Sequence, residues 1–316
     1  MSKWLKNILG VVILGVLLWY LVRHWEQLEA LFNLTFLQLS TIYVLYFLVM
    51  LNITLAVQYL LKGLGVRTRF WDMLWLHNAA LLLNYVPMKF GTLFRANYLK
   101  RHYGLRYTHF ATFFLYITFL MTATAAIIGL SVLVLFYGLG EYESKILAVV
   151  FLASIGGSLL FIFVPLPVPR GEGWFSTILR NFLTGRSQIS KEKKALVISL
   201  LYLVANFFLT AVRIGIIYHC ISQKIHPGGY VILGALGFVA LFIALTPGSL
   251  GVKELVLSFG AVALGVPFEV GLLAAMIDRA ITFSYAFVLG GSCTVWLWHK
   301  SPADFKKTET ASATEC

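Results

Sequence analysis

Five ionisable residues lie inside otherwise apolar stretches of the chain: Arg213, Lys253, Glu254, Asp278 and Arg279. A charge at the centre of a membrane helix costs about 2.5–3.5 kcal/mol even on the lenient insertion scale. Such residues survive where they face a polar cavity or pair with one another. Their presence points to something hydrophilic handled within a bilayer.

The stretch Pro247-Gly248-Ser249-Leu250-Gly251-Val252-Lys253-Glu254 carries most of this chemistry. It reads as an unwound turn followed by a helix that starts near Gly251. A helix N-terminus offers free N–H groups and positive partial charge, which suit a phosphate or carboxylate. Glu254 falls in the first turn, where the plainer reading is a dipole partner in a tight turn. Arg213 and Arg279 each lie about eight residues, roughly 12 Å, from the outer end of their helices. Both are expected to reach this turn, as an anion site, as structural partners of Glu254 or Asp278, or as both. The neighbour of Arg279, Asp278, points to a different face and is expected to pair elsewhere.

An earlier break, Val86-Pro87-Met88-Lys89-Phe90-Gly91, has a similar pattern. Lys89 and Arg95 flank it and offer positive charge on the cytoplasmic side. Both also read as topology signals that snorkel to the interface. Asn52, Gln58, Asn78, Asn84 and Asn206 lie in apolar helices, where hydrogen bonding between helices is the default expectation.

The elements that position these residues follow from composition. The 316 residues are 59% hydrophobic and 12% charged, with a mean hydropathy of +0.84. Soluble domains carry about 25% charged residues, so the chain reads as an all-α polytopic membrane protein. About six stretches are long enough to span: 5–22, 36–61, 109–137, 146–165, 195–221 and 270–298. Two more apolar segments, 71–103 and 230–264, are interrupted by the two proline breaks. Each half is too short to span comfortably, so each segment is expected to form a re-entrant broken-helix hairpin.

Charge orients this arrangement. With the N-terminus cytoplasmic, only Arg23, Lys145 and Lys224 of the 25 Lys and Arg fall on the far side. Arg213, Lys253 and Arg279 lie within the membrane, and all the others fall on the cytoplasmic side. The same distribution explains the net charge of +12 and argues against nucleic acid as a partner. The long basic segment from Leu166 to Lys194 reads as a loop, either solvated or laid along an anionic leaflet. The expected organisation is one integral membrane domain over 1–300, then a disordered cytoplasmic tail over 301–316.

The two breaks share the pattern P-x-x-(aromatic or aliphatic)-G, and a further glycine follows each, at Gly104 and Gly265. The hairpins would enter from opposite faces, so the halves, about 36–137 and 195–298, are expected to be an inverted repeat. That is a common plan of secondary transporters. No nucleophile elbow, Walker A or HExxH motif occurs. Neither an enzyme nor a metal or other cofactor is therefore expected.

With these residues in hand, the chain resembles the lysylphosphatidylglycerol synthase transmembrane-region family, a flippase-like membrane domain. Pro247 to Glu254, followed by Arg279, looks like that family's P-x-G-x-G-x-x-E and later Arg. Pro87, Gly91 and Arg95 look like its P-x-x-x-G-E-x-x-R, with Thr92 standing where the family has Glu. The family's charged positions in the next helix appear as uncharged residues around Tyr116 to Leu120. The resemblance implies movement of an anionic or lipid-linked lipid between leaflets of a bacterial inner membrane, both termini being cytoplasmic. The expected binding residues are Pro87, Lys89, Gly91, Arg95, Arg213, Pro247, Gly248, Ser249, Gly251, Lys253, Glu254, Asp278 and Arg279. The alternatives are a secondary transporter of a small anionic solute and a non-transporting partner of a cell-envelope lipid or glycan enzyme. Membrane lipids are the expected partners, with cell-envelope biosynthesis enzymes as further candidates.

Overall fold

A computed structural model describes residues 35–85, 90–164, 173–243 and 251–299. All regular structure there is helical. The helices are α1 (Phe36–Gly63), α2 (Phe70–Leu83), α3 (Phe90–Tyr103), α4 (Tyr107–Phe136), α5 (Tyr142–Phe163) and α6 (Trp174–Lys191). Then follow α7 (Lys193–Cys220), α8 (Pro227–Ile243), α9 (Val252–Val262), α10 (Phe268–Tyr285) and α11 (Gly291–His299). A π-helical turn, Ala286–Gly290, joins α10 to α11 without a break in the rod. The expected span over 5–22 lies outside the described residues.

Among the described residues, five helical rods are long and apolar enough to cross a membrane: 36–63, 107–136, 142–163, 193–220 and 268–297. Their outer faces carry large apolar side chains such as Leu135, Val149, Phe163, Leu201 and Phe287, all more than half exposed. In water such a surface would drive aggregation; in a bilayer it meets acyl chains. The two interrupted segments fold as pairs of short helices. Helices α2 and α3 have 14 residues each, α8 has 17 and α9 has 11. At 1.5 Å per residue none exceeds about 26 Å, short of a hydrocarbon core of about 30 Å.

Each pair packs arm on arm, α2 on α3 and α8 on α9. The long helices α1 and α7 lie along each other, and each packs on the first arm of its own pair. The pairs then reach across: α8 packs on α4 of the first half, while α2 packs on the π-helical turn and α11 of the second. Glycine makes both crossings close. A Cβ on Gly129 would stand 2.6 Å from the Ala235 methyl, and one on Gly290 would stand 2.6 Å from the Asn78 carbonyl oxygen. One apolar cluster surrounds each pair, with Leu76, Leu99 and Tyr116 in the first and Leu233, Leu257 and Ile277 in the second. The glycines noted after each break also end helices: Gly104 and Gly265 both have positive φ, and Leu105 and Val266 behind them are buried.

Two expectations need correction. The basic segment from Leu166 to Lys194 contains a helix, α6, which packs against α4 and α1. Leu183, Arg186 and Ile189 form its buried stripe, three residues apart. Arg186 donates to the Val164 carbonyl and lies 5.8 Å from the Phe161 ring centroid, so this charge is anchored rather than solvated. Two of the five polar residues also behave differently, whereas Gln58 donates to Thr68 O beyond its helix at 2.8 Å. Asn52 donates to Leu48 O at 3.0 Å and Asn78 to Leu74 O at 2.8 Å, one turn back on their own helices. An intrahelical carbonyl is always within reach of such an amide, whereas a partner on another helix requires matched packing.

Candidate functional site: five charges between two broken helices

Gly251 opens α9 with φ 81° and ψ −41°, a conformation close to the strained γ-turn that glycine alone adopts cheaply. Its N–H donates to Glu254 Oε2 at 2.9 Å. Glu254 thereby closes the N-terminus of its own helix. Its other oxygen accepts from Arg279 Nε at 2.5 Å, and only 3% of the side chain is exposed. Glu254 is thus a first-turn partner of its own helix and also the partner of an arginine.

Asp278 precedes Arg279 and so points about 100° further round α10. There it pairs with Arg213 of α7 and accepts from Lys253 Nζ at 2.9 Å. The Arg213 guanidinium also stands 4.9 Å from the Tyr46 ring centroid on α1, within cation–π range. Two consecutive residues of α10 therefore tie together α7, α9 and, through Arg213, α1.

The first broken pair reaches the same place. Tyr85, just past α2 and just before the break, hydrogen-bonds Arg279 through its side chain. Its ring meets Phe283 of α10 edge-on, with centroids 5.2 Å apart. The residue before the first break and the residue in the first turn after the second thus share Arg279.

Accessibility divides the cluster in two. The Lys253 and Arg279 side chains are 29% and 18% exposed, the Asp278 and Glu254 side chains 6% and 3%, and Arg213 5%. The acids are turned inward and two cations form the approachable edge. Three positive and two negative groups leave one net positive charge. In a medium of low dielectric such an edge attracts anions strongly. A small pocket behind Asp278, between Ile214, Tyr218, Leu257 and Ala275, is otherwise apolar.

Of the residues expected from sequence, Arg213, Gly251, Lys253, Glu254, Asp278 and Arg279 come together here. Gly91 and Arg95 lie in α3 and belong to a separate neighbourhood, with His77 beside Arg95. Pro87, Lys89, Pro247, Gly248 and Ser249 lie outside the described residues. Sequence reasoning missed Tyr46 and Tyr85. For Tyr85 a signal existed, a hydroxyl placed directly before a proline break. For Tyr46 there was none, because its partner lies on a helix 167 positions away.

The fold and this charge cluster define a polytopic α-helical membrane protein with an ionic site at the meeting of two broken helices. The chain belongs to the lysylphosphatidylglycerol synthase TM region family, whose model matches residues 7–291. No curated protein and no solved structure matches the chain.

Proposed function

We propose that this protein moves an anionic phospholipid or lipid-linked intermediate between the leaflets of a bacterial inner membrane. The observation that carries the reading is the division of the ionic cluster, with both acids and Arg213 buried and Lys253 and Arg279 accessible, on helices of an apolar bundle. The phosphate passes along that edge while the acyl chains stay in the surrounding lipid. Short helix pairs, too brief to cross, support re-entry from opposite faces. The exchange of packing partners between the halves supports an inverted repeat. Membership of the family supports a lipid as the cargo.

The test is leaflet exchange in proteoliposomes containing a headgroup-labelled fluorescent phosphatidylglycerol, read by dithionite bleaching. Wild-type protein should expose the inner-leaflet label. Lys253→Gln and Arg279→Gln should slow that exposure at least about tenfold, the effect of losing one charge-assisted hydrogen bond. Wild-type rates in both variants would reject the site. Movement of inorganic phosphate but not of the labelled lipid would reject the cargo.

A further inference from the structure

The loop between α7 and α8, residues 221–226, lies at the end of α7 opposite its basic start at Lys193 and Lys194. Ser222 in this loop has φ 58°, the one positive φ outside glycine among the described residues, in a region that side chains disfavour. Contacts at the far end of the loop fix it in place. The Ile225 N–H donates to Tyr230 Oη at 3.3 Å. His226 stands at the N-cap of α8, with Pro227 in the first helical position.

His226 caps that helix with its ring. The Gly228 N–H donates to His226 Nδ1 at 3.2 Å, and the Gly229 N–H donates to the His226 carbonyl at 2.7 Å. Asp, Asn, Ser and Thr are the usual residues here, with side-chain oxygens that still accept at mildly acid pH. An imidazole nitrogen accepts only while it carries no proton, and histidine changes charge between about pH 5 and 8. The His226 side is exposed, whereas Gly228 and Gly229 are buried. Protons therefore reach the cap, and water does not readily replace it.

The ring has a second place to turn. It packs on the end of α4, 5.1 Å from the Phe136 ring centroid and edge-on to Tyr137 at 6.2 Å. The Tyr137 hydroxyl is buried and has no hydrogen-bonding partner among the described residues. It points at the same turn of α8: a Cβ on Gly229 would stand 2.7 Å from Tyr137 Oη. The other titratable groups around the ring are Tyr230 of α8, bonded to the neighbouring Ile225, and Lys224 two residues back. Tyr218 of α7 lies behind Tyr230, with ring centroids 6.0 Å apart. Among the described residues no carboxylate pairs with His226. An imidazolium there meets the positive end of α8 with no anion to offset it. The C-terminal end of α4, its two rings and its orphan hydroxyl all favour that cation.

We infer that His226 and Tyr137 form a proton-operated latch at the outer end of the second broken pair. Neutral His226 caps α8 and holds its first turn on α4. Protonated His226 releases the Gly228 N–H and donates to Tyr137 Oη. The capped state excludes a proton from Nδ1, so the capped fraction falls as pH drops through the histidine range. A Cβ on Gly228 would stand 2.9 Å from Val132 Cγ1, so the turn that is released lies directly on α4. Because α8 packs on α4 across the two halves, the latch sets how firmly the halves are joined at this end. The placement of the basic residues turns this end away from the cytoplasm, which makes acid outside the trigger. The inference is independent of the cargo.

The experiment is hydrogen exchange of the full-length protein in detergent micelles, read by mass spectrometry at about pH 8 and about pH 5.5, with rates corrected for the chemical exchange rate at each pH. The reporter is the segment 225–233, and the segment 271–281 of α10 is the control. In wild type the reporter should exchange about fivefold or more faster in acid, the factor by which a lost cap weakens a helix start, while the control changes little. His226→Asn keeps an acceptor that does not titrate and should stay protected at both pH values. His226→Phe keeps the ring packing without an acceptor and should exchange fast at both. Tyr137→Phe removes the partner of the protonated ring and should move the transition about one pH unit lower. Should His226→Asn not fold, His226→Asp serves in its place, since its carboxylate remains ionised and caps at both pH values. No acceleration in wild type, or equal acceleration in wild type and His226→Asn, overturns the inference. A transition unmoved by Tyr137→Phe overturns it as well.

Discussion

Glu254→Gln separates the two tasks of this carboxylate. The amide oxygen can still accept from the Gly251 N–H, as Glu254 Oε2 does at 2.9 Å, so the cap on α9 survives. The charge opposite Arg279 does not. Two unit charges about 4 Å apart attract by about 4 kcal/mol at an effective dielectric of about 20. Removing one partner of a buried pair typically costs about 3–5 kcal/mol. Arg279 is 18% exposed and also bonds Tyr85, so the lower end of that range, about 3 kcal/mol, is expected. Arg279→Gln should cost about as much, because it strands Glu254 at 3% exposure. The double variant removes both charges and should cost well under the sum, with a coupling energy of at least about 2 kcal/mol. The assay is SDS-titration unfolding in mixed micelles across the four proteins of the cycle. Additive single effects, with coupling below about 0.5 kcal/mol, would refute the reasoning.

Three further expectations can be checked with the same preparations. Gly251→Ala should lose about 1–3 kcal/mol, because φ 81° is closed to a side chain; an unchanged SDS midpoint would contradict that backbone. Gly290→Ala should cost about 1–3 kcal/mol through contact with the Asn78 carbonyl, whereas Gly156→Ala, which meets open space, should be neutral or gain up to about 1 kcal/mol in helix propensity. In a cysteine-free background, Lys253→Cys should react with a water-soluble thiosulfonate faster than Asp278→Cys, following side-chain exposures of 29% and 6%. Equal rates would contradict a cluster in which Lys253 is accessible and Asp278 buried.

Much of this architecture is legible in the chain because the bilayer imposes a simple rule. A run of about 20 apolar residues must be a span, and a proline inside one must end or break it. Hence the long rods and both broken pairs can be placed to within a few residues. The five charges stand out for the same reason, being costly where they are. Their partners are less legible. That Asp278 serves Arg213 and Lys253 while Arg279 serves Glu254 depends on a rotation of about 100° between neighbours on α10, and on which helices pack there. Helix α6 escapes notice because the rule does not apply to it. Its stripe of Leu183, Arg186 and Ile189 contains a charge, so it reads as polar until Arg186 is seen on the Val164 carbonyl. Tyr85 is visible as a residue before a break, but its reach to Arg279 belongs to tertiary packing alone.

Asp278 is held by cations from two other helices, and Arg279 beside it by the carboxylate of one of these. Helices α7, α9 and α10 are therefore riveted into a single block. The described tie from α2 to this block through Arg279 is of another kind, a phenol on a guanidinium backed by one ring edge. If the molecule rocks during a transport cycle, α7, α9 and α10 travel together as one piece.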